Sequence, residues 1–148
     1  MLTSPDAFAS YFAAVRQRTL TYVQIIPPDR LEWTPQAGEF SCGDIVRHLA
    51  AAEAMFVGVV ADGTWHVHAH LRHPDDTLAG LISRLEMTHA QALATLRALP
   101  VDILSAPRAS RDGPPVSAWR WLMVLAEHEI QHRGQLAVYL SLMGVTPP

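Results

Sequence analysis

Two histidines four residues apart, His128 and His132, are the side chains of this sequence best suited to chemistry. On a helix this spacing places them about 40° apart around the axis and one turn apart along it, so both imidazoles can reach one ion. The same stripe carries Trp121, Leu125 and Tyr139, which predicts that the pair faces the interior. Buried imidazoles need polar partners, and a metal ion supplies them, although two locally hydrogen-bonded histidines fit the same pattern.

A third histidine, His48, is predicted to complete the site. It shares a helix face with Ile45, Ala52 and Met55, where a polar ring needs an explanation. A single histidine in such a place is more often a hydrogen-bonded core residue than a ligand. Three histidines from two helices supply three neutral nitrogen donors, which leaves an open position for water or substrate on a zinc- or nickel-like ion.

The elements that must position these residues are four helices. Apolar periodicity and capping signals predict them over about residues 5–26, 42–61, 75–98 and 117–143. The start signals are Ser4-Pro5, a capping box at Ser41, the acidic pair Asp75-Asp76 and Ser117, and Gly144 ends the last helix. Four matched helices without a competing strand signal predict an all-α four-helix bundle, forming a single domain over residues 1–148. The connections are long enough for one to cross over.

Composition excludes several classes of protein. The 148 residues carry a net charge of −3 and contain no lysine, which argues against nucleic-acid binding. The sequence shows no basic and apolar leader and no apolar run of membrane-spanning length, so we expect a cytoplasmic protein that does not enter a membrane. The single cysteine, Cys42, cannot form an intrachain disulfide.

Two segments of this chain resemble a known family. They are residues 45–53, IVRHLAAAE, and residues 128–136, HEIQHRGQL, of which the block H-x-x-x-H-R-G-Q is the specific part. Together they resemble the DinB/YfiT-like superfamily of metal-dependent proteins. Trp33, Pro35 and Ser41 are similar to the family's lead-in to the second helix, and Phe40 stands where many relatives have Trp. The resemblance spans nearly the whole chain.

The resemblance implies a four-helix bundle whose middle two helices are parallel, and frequent homodimers. It also implies that His48, His128 and His132 bind one divalent ion, zinc or nickel. Characterised relatives include mycothiol-dependent isomerases and bacillithiol transferases, and an open metal position can hold such a low-molecular-weight thiol as its thiolate. The expected function is therefore a metal-dependent enzyme acting on a small-molecule substrate, as a thiol-dependent S-transferase, an isomerase or a hydrolase. The alternative is a non-catalytic metal- or ligand-binding module.

Three polar residues near the histidines are candidates for orienting a ligand or contacting a substrate. Gln135 lies on the inward stripe of the last helix and can hydrogen-bond a ligand. Arg133 lies about 100° from His132 and is predicted to tie its helix to a neighbour. Glu53 lies about 140° round the helix from His48, so we expect it to pair with an arginine such as Arg133 or to face solvent.

Two further features have ordinary explanations that compete with functional ones. Cys42 lies in a first helical turn, where the helix dipole can lower a thiol pKa, but a small packed residue fits equally well. The histidines His66, His68, His70 and His73 form a cluster that can bind a second metal ion. A solvated loop that binds metal weakly is the stronger interpretation of that cluster.

Overall fold

The computed structural model describes residues 3–68 and 70–148 and is mostly helical, which confirms the predicted fold class. Its elements are the helices α1 (Pro5–Val23), α2 (Cys42–Asp62), α3 (Leu78–Ala98) and α4 (Ala118–Leu142), short 3-10 turns at Pro28–Arg30 and Val101–Ser105, and an antiparallel ribbon of β1 (Pro107–Arg108) with β2 (Val116–Ser117). The sequence did not predict the ribbon, because two residues are too few to show alternation. The parallel orientation of the middle two helices and the single domain remain predictions.

Capping residues explain where the helices begin. Ser4 Oγ accepts the N–H of Ala7 at 3.0 Å, and Pro5 occupies the first turn of α1. Ser41 and Asp44 exchange two hydrogen bonds, each of 3.0 Å, in the predicted capping box of α2. At the other end of the chain, Gly144 follows α4 with a φ of 80°, a conformation that glycine adopts without strain.

Two predicted helix boundaries are wrong. The first helix ends at Val23 rather than at residue 26, because the residue before a proline is disfavoured in helical conformation and Pro27 follows closely. The third helix begins at Leu78 rather than at residue 75, since Thr77 Oγ1 accepts the N–H of Gly80 at 3.1 Å and caps it. Asp76 instead accepts a hydrogen bond from Arg47 at 3.2 Å.

A layer of charged side chains divides the apolar core into two clusters. The first cluster centres on Phe8, Phe12, Phe56 and Leu122, and the second contains Val23, Ile45, Leu85 and Leu136. Between them each helix supplies one polar residue, and we call this set the polar layer: Arg16 of α1, Glu53 of α2, His89 of α3 and Glu129 of α4. The three histidines that the sequence predicts as metal ligands flank this layer in sequence, so the layer holds the helices in the region where these histidines lie.

Arg47 fixes the start of α2 against the connections that precede and follow it. Its buried guanidinium contacts Glu32 at 2.9 Å, Asp44 at 3.1 Å and Asp76 at 3.2 Å. Gly43 permits this arrangement, because a Cβ there would lie only 2.9 Å from the guanidinium. Within the described ranges, none of the helices combines the length and hydropathy that a membrane span needs.

Candidate metal centre

The ring nitrogens of His48, His128 and His132 converge as the sequence predicted. One ligand atom from each ring lies within 4.8 Å of the others, and the Nε2 atoms of His48 and His128 are 2.9 Å apart. Nitrogen ligands of one tetrahedral zinc ion lie about 3.4 Å apart, so ring rotations would bring the more distant nitrogens together around an ion. Over residues 3–68 and 70–148 this is the one group of three or more His, Cys, Asp or Glu side chains with such geometry.

The protonation of the site favours cation binding. Burial is the main reason that the pKa of His48 and that of His128 each fall from 6.5 to about 4, and the neighbouring histidines add to the effect. Both rings are therefore neutral at neutral pH and have a lone pair to offer. All three rings are half-buried, so the site is in reach of solvent.

Hydrogen bonds orient one of the three rings. His132 Nδ1 lies 2.9 Å from Gln135 Oε1, and Gln135 Nε2 donates to the hydroxyl of Tyr139 at 3.0 Å. A proton on Nδ1 leaves Nε2 of His132 free as a ligand. By contrast, the Nδ1 atoms of His48 and His128 are buried and have no partner in the described part of the chain. Gln135 thus makes the hydrogen bond to a metal-ligand candidate, His132, that the sequence analysis predicted for it.

Aromatic rings surround the histidines. The ring centroid of Phe40 lies 5.3 Å from that of His48 and 6.4 Å from that of His132, and Phe56 lies 5.9 Å from His128. Such rings exclude water from part of the site and restrict the movement of the imidazoles. Phe40 thus contacts two of the three histidines.

The histidine cluster after α2 does not form a metal group among the described residues. His66 lies 2.8 Å from Asp62, and the exposed His73 lies 3.7 Å from Asp75. His70 is different, since its ring packs 5.0 Å from that of His48. The sequence offered no signal for this contact, because His70 belongs to an aperiodic connection whose path cannot be derived from spacing.

Glu53 pairs with an arginine as predicted, but that arginine is Arg16 rather than Arg133, and the alternative that Glu53 faces solvent is wrong. Its side chain is fully buried, 3.0 Å from Arg16 and 2.7 Å from His89, and contacts neither solvent nor Arg133. Arg133 instead lies 3.5 Å from the carbonyl of Val15, which ties α4 to α1 as predicted. Glu53 belongs to the polar layer, so its link to the metal centre is indirect.

The sequence analysis did not identify Arg16, the partner of Glu53, as a buried residue. Arg16 also donates to both carboxylate oxygens of Glu129, at 2.7 and 3.0 Å. A signal existed, because Arg16 lies four residues after Phe12 and four before Leu20, within the apolar stripe of α1. A charged residue in such a stripe predicts a buried ion pair.

Cys42 is a packed residue rather than an activated nucleophile. Its side chain is completely buried, and burial raises the pKa of the thiol to about 11. The thiol is therefore protonated at neutral pH, and the nucleophilic option that its place in the first turn of α2 left open has no support.

Comparison with known proteins connects this geometry to a family. The curated protein YjoA of Bacillus subtilis, itself uncharacterized, is 25% identical over 144 residues, which cover 95% of this chain and 92% of that protein. A crystal structure of this DinB-like protein covers 95% of this chain and 94% of its own, with a TM-score of 0.79 and 24% identity. A crystal structure of a DinB-like protein from Bacillus cereus ATCC 10987 covers 100% of this chain and 98% of its own, with a TM-score of 0.80 and 19% identity. Residues 11–136 match the sequence model of the DinB superfamily, and the chain therefore belongs to that superfamily.

Proposed function

We propose that this protein is a metal-dependent enzyme that acts on a small molecule, with one divalent ion, zinc or nickel, held by His48, His128 and His132. The observation that carries the proposal is the convergence of three ring nitrogens within 4.8 Å. Two of these rings are neutral at neutral pH, because their pKa values are lowered to about 4. Imidazole nitrogen is a ligand that both zinc and nickel accept.

The number of ligands supports a reactive centre over a closed structural one. Structural zinc sites usually have four protein ligands, whereas the described residues bring three together here. A bound ion would supply Lewis acidity and lower the pKa of a water or thiol in its open position. The chain itself orients the ligands: Gln135 holds His132 through a 2.9 Å hydrogen bond, and Phe40 packs against two of the rings.

The finer proposal is a thiol-dependent S-transferase or isomerase. An open position on a three-histidine ion can bind a low-molecular-weight thiol and hold it as a nucleophilic thiolate at neutral pH. The half-buried histidines leave room for such a ligand to approach from solvent.

A thiol panel tests this function. The zinc- or nickel-loaded protein is assayed with bacillithiol, mycothiol, glutathione or coenzyme A and an electrophile such as chlorodinitrobenzene, with loss of the free thiol as the readout. We expect turnover with at least one thiol, its loss in His128→Ala, and its retention in the matched control His73→Ala, since His73 is exposed and outside the metal group. Metal binding without turnover across the panel would favour the non-catalytic binding module.

A further inference from the structure

A cavity of about 340 Å³ lies between α2, α4 and the loop of residues 109–115 that joins β1 to β2. Its main lining side chains are Met55, Phe56, Trp65, Arg111, Asp112 and Trp121. Two hydrogen bonds hold the ribbon and its loop against the end of α2: Arg108 Nε donates to the carbonyl of Val60 at 2.8 Å, and Trp65 Nε1 donates to that of Ala109 at 2.9 Å. The cavity has the size of a small-molecule site.

The cavity adjoins the metal centre. Phe56 follows His48 by eight residues on α2, and Trp121 precedes His128 by seven on α4. Along each helix the cavity residue is therefore about two turns, or about 10–12 Å, from the histidine on the same helix. The Phe56 ring connects the two places, because its centroid is 5.9 Å from that of His128 and 6.0 Å from that of Trp121. A molecule of ordinary substrate length can span this separation.

Three aromatic rings give the cavity an apolar wall. The indoles of Trp65 and Trp121 meet edge to face with centroids 4.8 Å apart, and Phe56 lies 5.9 Å from Trp65. The Nε1 atom of Trp121 is buried and has no acceptor within residues 3–68 and 70–148. A buried indole N–H without an acceptor is unfavourable, so an acceptor atom on a ligand would stabilise it.

The positively charged side chain of Arg111 lies at the edge of this aromatic wall. The guanidinium carbon of Arg111 is 5.0 Å from the ring centroid of Trp65, and its Nη2 lies 3.1 Å from the sulfur of Met55. A thioether is a weak acceptor, and no carboxylate in the described chain forms an ion pair with Arg111. Most of its N–H donors thus remain available to an anion. Asp112, the next residue in the chain, also lines the cavity.

We propose that this cavity binds the non-reacting part of the substrate, a flat apolar or aromatic body that carries an anionic group. The rings of Trp65 and Trp121 contact the body, Trp121 Nε1 donates to an acceptor atom, and Arg111 pairs with the anion. The other end of the molecule then extends past Phe56 to the ion. This last step rests on the proposed function, whereas binding of the body does not.

Naphthalenesulfonate and its neutral analogue methyl naphthyl sulfone are suitable probes, because they share a flat body and differ in charge. Binding is measured by calorimetry on the metal-free and the zinc-loaded full chain. The four tryptophan indole N–H signals, assigned by single Trp→Phe variants, report where the probe lies. We expect shifts at Trp65 and Trp121 but not at Trp33, which packs against Tyr139 at a distance from the cavity.

Charge variants test the role of Arg111. We expect Arg111→Gln to weaken sulfonate binding about tenfold, the loss of one charge-assisted contact, and to leave sulfone binding unchanged. The matched control Arg97→Gln removes an exposed arginine of α3 that pairs with Asp6, and should change neither ligand. Trp121→Phe keeps an aromatic ring but removes the donor, so both ligands should bind several-fold more weakly.

The experiments can overturn the cavity proposal and the metal-centre proposal independently of each other. Absence of sulfonate binding at millimolar concentration, shifts confined to Trp33, or equal sulfonate affinity in the wild type and Arg111→Gln would overturn the cavity proposal, even if the protein binds zinc. Sulfonate binding in a protein that does not bind zinc would support the cavity and overturn the metal centre.

Discussion

At the scale of single residues, the environment of two imidazoles determines what the site can bind. Burial, and then the neighbouring histidines, lowers the pKa of His48 and of His128 to about 4. Their Nε2 atoms face each other at 2.9 Å, so two protonated rings would repel at this distance. A cation that accepts both lone pairs suits the same geometry.

These lowered pKa values predict how the stability of the metal-free protein depends on pH. Between pH 6.5 and about 4 the unfolded chain binds more protons at His48 and His128 than the folded chain does. The free energy of unfolding should therefore fall as the pH is lowered through this window. Urea unfolding at several pH values checks this, and the double variant His48→Asn, His128→Asn should show a shallower fall. An identical pH dependence in both proteins would contradict the assignment.

The contact between Gln135 and His132 predicts a change in metal affinity. Gln135→Leu removes the acceptor that holds the Nδ1 proton of His132 at 2.9 Å. Loss of such a supporting hydrogen bond typically costs about 10–100-fold in metal affinity. Tyr139→Phe is the control, because it removes a hydroxyl that contacts Gln135 and not the histidine. A zinc competition titration in which both variants equal the wild type would argue against this role.

At the scale of elements, the polar layer joins all four helices. Arg16 of α1 pairs with Glu53 of α2 and Glu129 of α4, while His89 of α3 lies 2.7 Å from Glu53. Arg16 and both glutamates are at most 1% exposed. Buried charges at this depth are tolerated only when paired, so each helix depends on the others for its position.

Arg16→Met should therefore destabilise the bundle strongly. The substitution leaves two buried carboxylates without their common cation, and breaking a buried pair in this way typically costs about 3–5 kcal/mol. Arg97→Met, which breaks an exposed ion pair with Asp6, should cost about 0–1 kcal/mol. Chemical denaturation measures both variants, and similar losses for the two would show that the polar layer is not the main tie between helices.

The same elements show what sequence reasoning can and cannot reach. Local signals predicted the beginnings of α1 and α2, because a cap such as Ser4 or Ser41 acts on the adjacent backbone. The predicted start of α3 was wrong because Asp76 accepts a hydrogen bond from Arg47, which is distant in sequence, and does not begin the helix. For the same reason the contact of His70 with His48 was not predicted, and neither was the identity of the arginine that pairs with Glu53. Three histidines on periodic helix faces, by contrast, could be brought together from the sequence.

At the scale of the whole molecule, α4 presents an apolar stripe to solvent. Ile130, Val138 and Leu142 are 41%, 57% and 62% exposed, and they follow one another at helical spacing with Gly134 between them. A Cβ built at Gly134 meets no atom within 4 Å, so the stripe is uncovered in one copy of the described chain. An apolar stripe of this kind is typical of an interface.

This stripe supports the predicted homodimer and gives it a test. Light scattering should yield twice the chain mass of 16.3 kDa at micromolar concentration. Val138→Asp should shift the mass toward the monomer, because it places two like charges in a twofold interface. Met87→Asp, at a similarly exposed position on α3, should not. A wild type that is monomeric throughout the micromolar range would exclude the dimer.

The fold should not depend on the ion. The two apolar clusters and the polar layer connect all four helices, and a bound ion would add contacts to only three side chains. Ions that control folding are usually enclosed by four protein ligands in domains with small cores. We therefore expect a bound ion to raise the melting temperature only through the linkage of binding to stability.

A zinc or nickel titration of the wild type and of His48→Ala, His128→Ala and His132→Ala, followed by calorimetry and circular dichroism together, tests the central claim most directly. We predict one ion per chain in the wild type, loss of tight binding in each variant, and an unchanged helical signal in all proteins and after chelation. Variants that bind the ion as tightly as the wild type would contradict the three-histidine centre. A helical signal that collapses on chelation would show instead that the ion is structural, and the proposed enzyme would lose its main support.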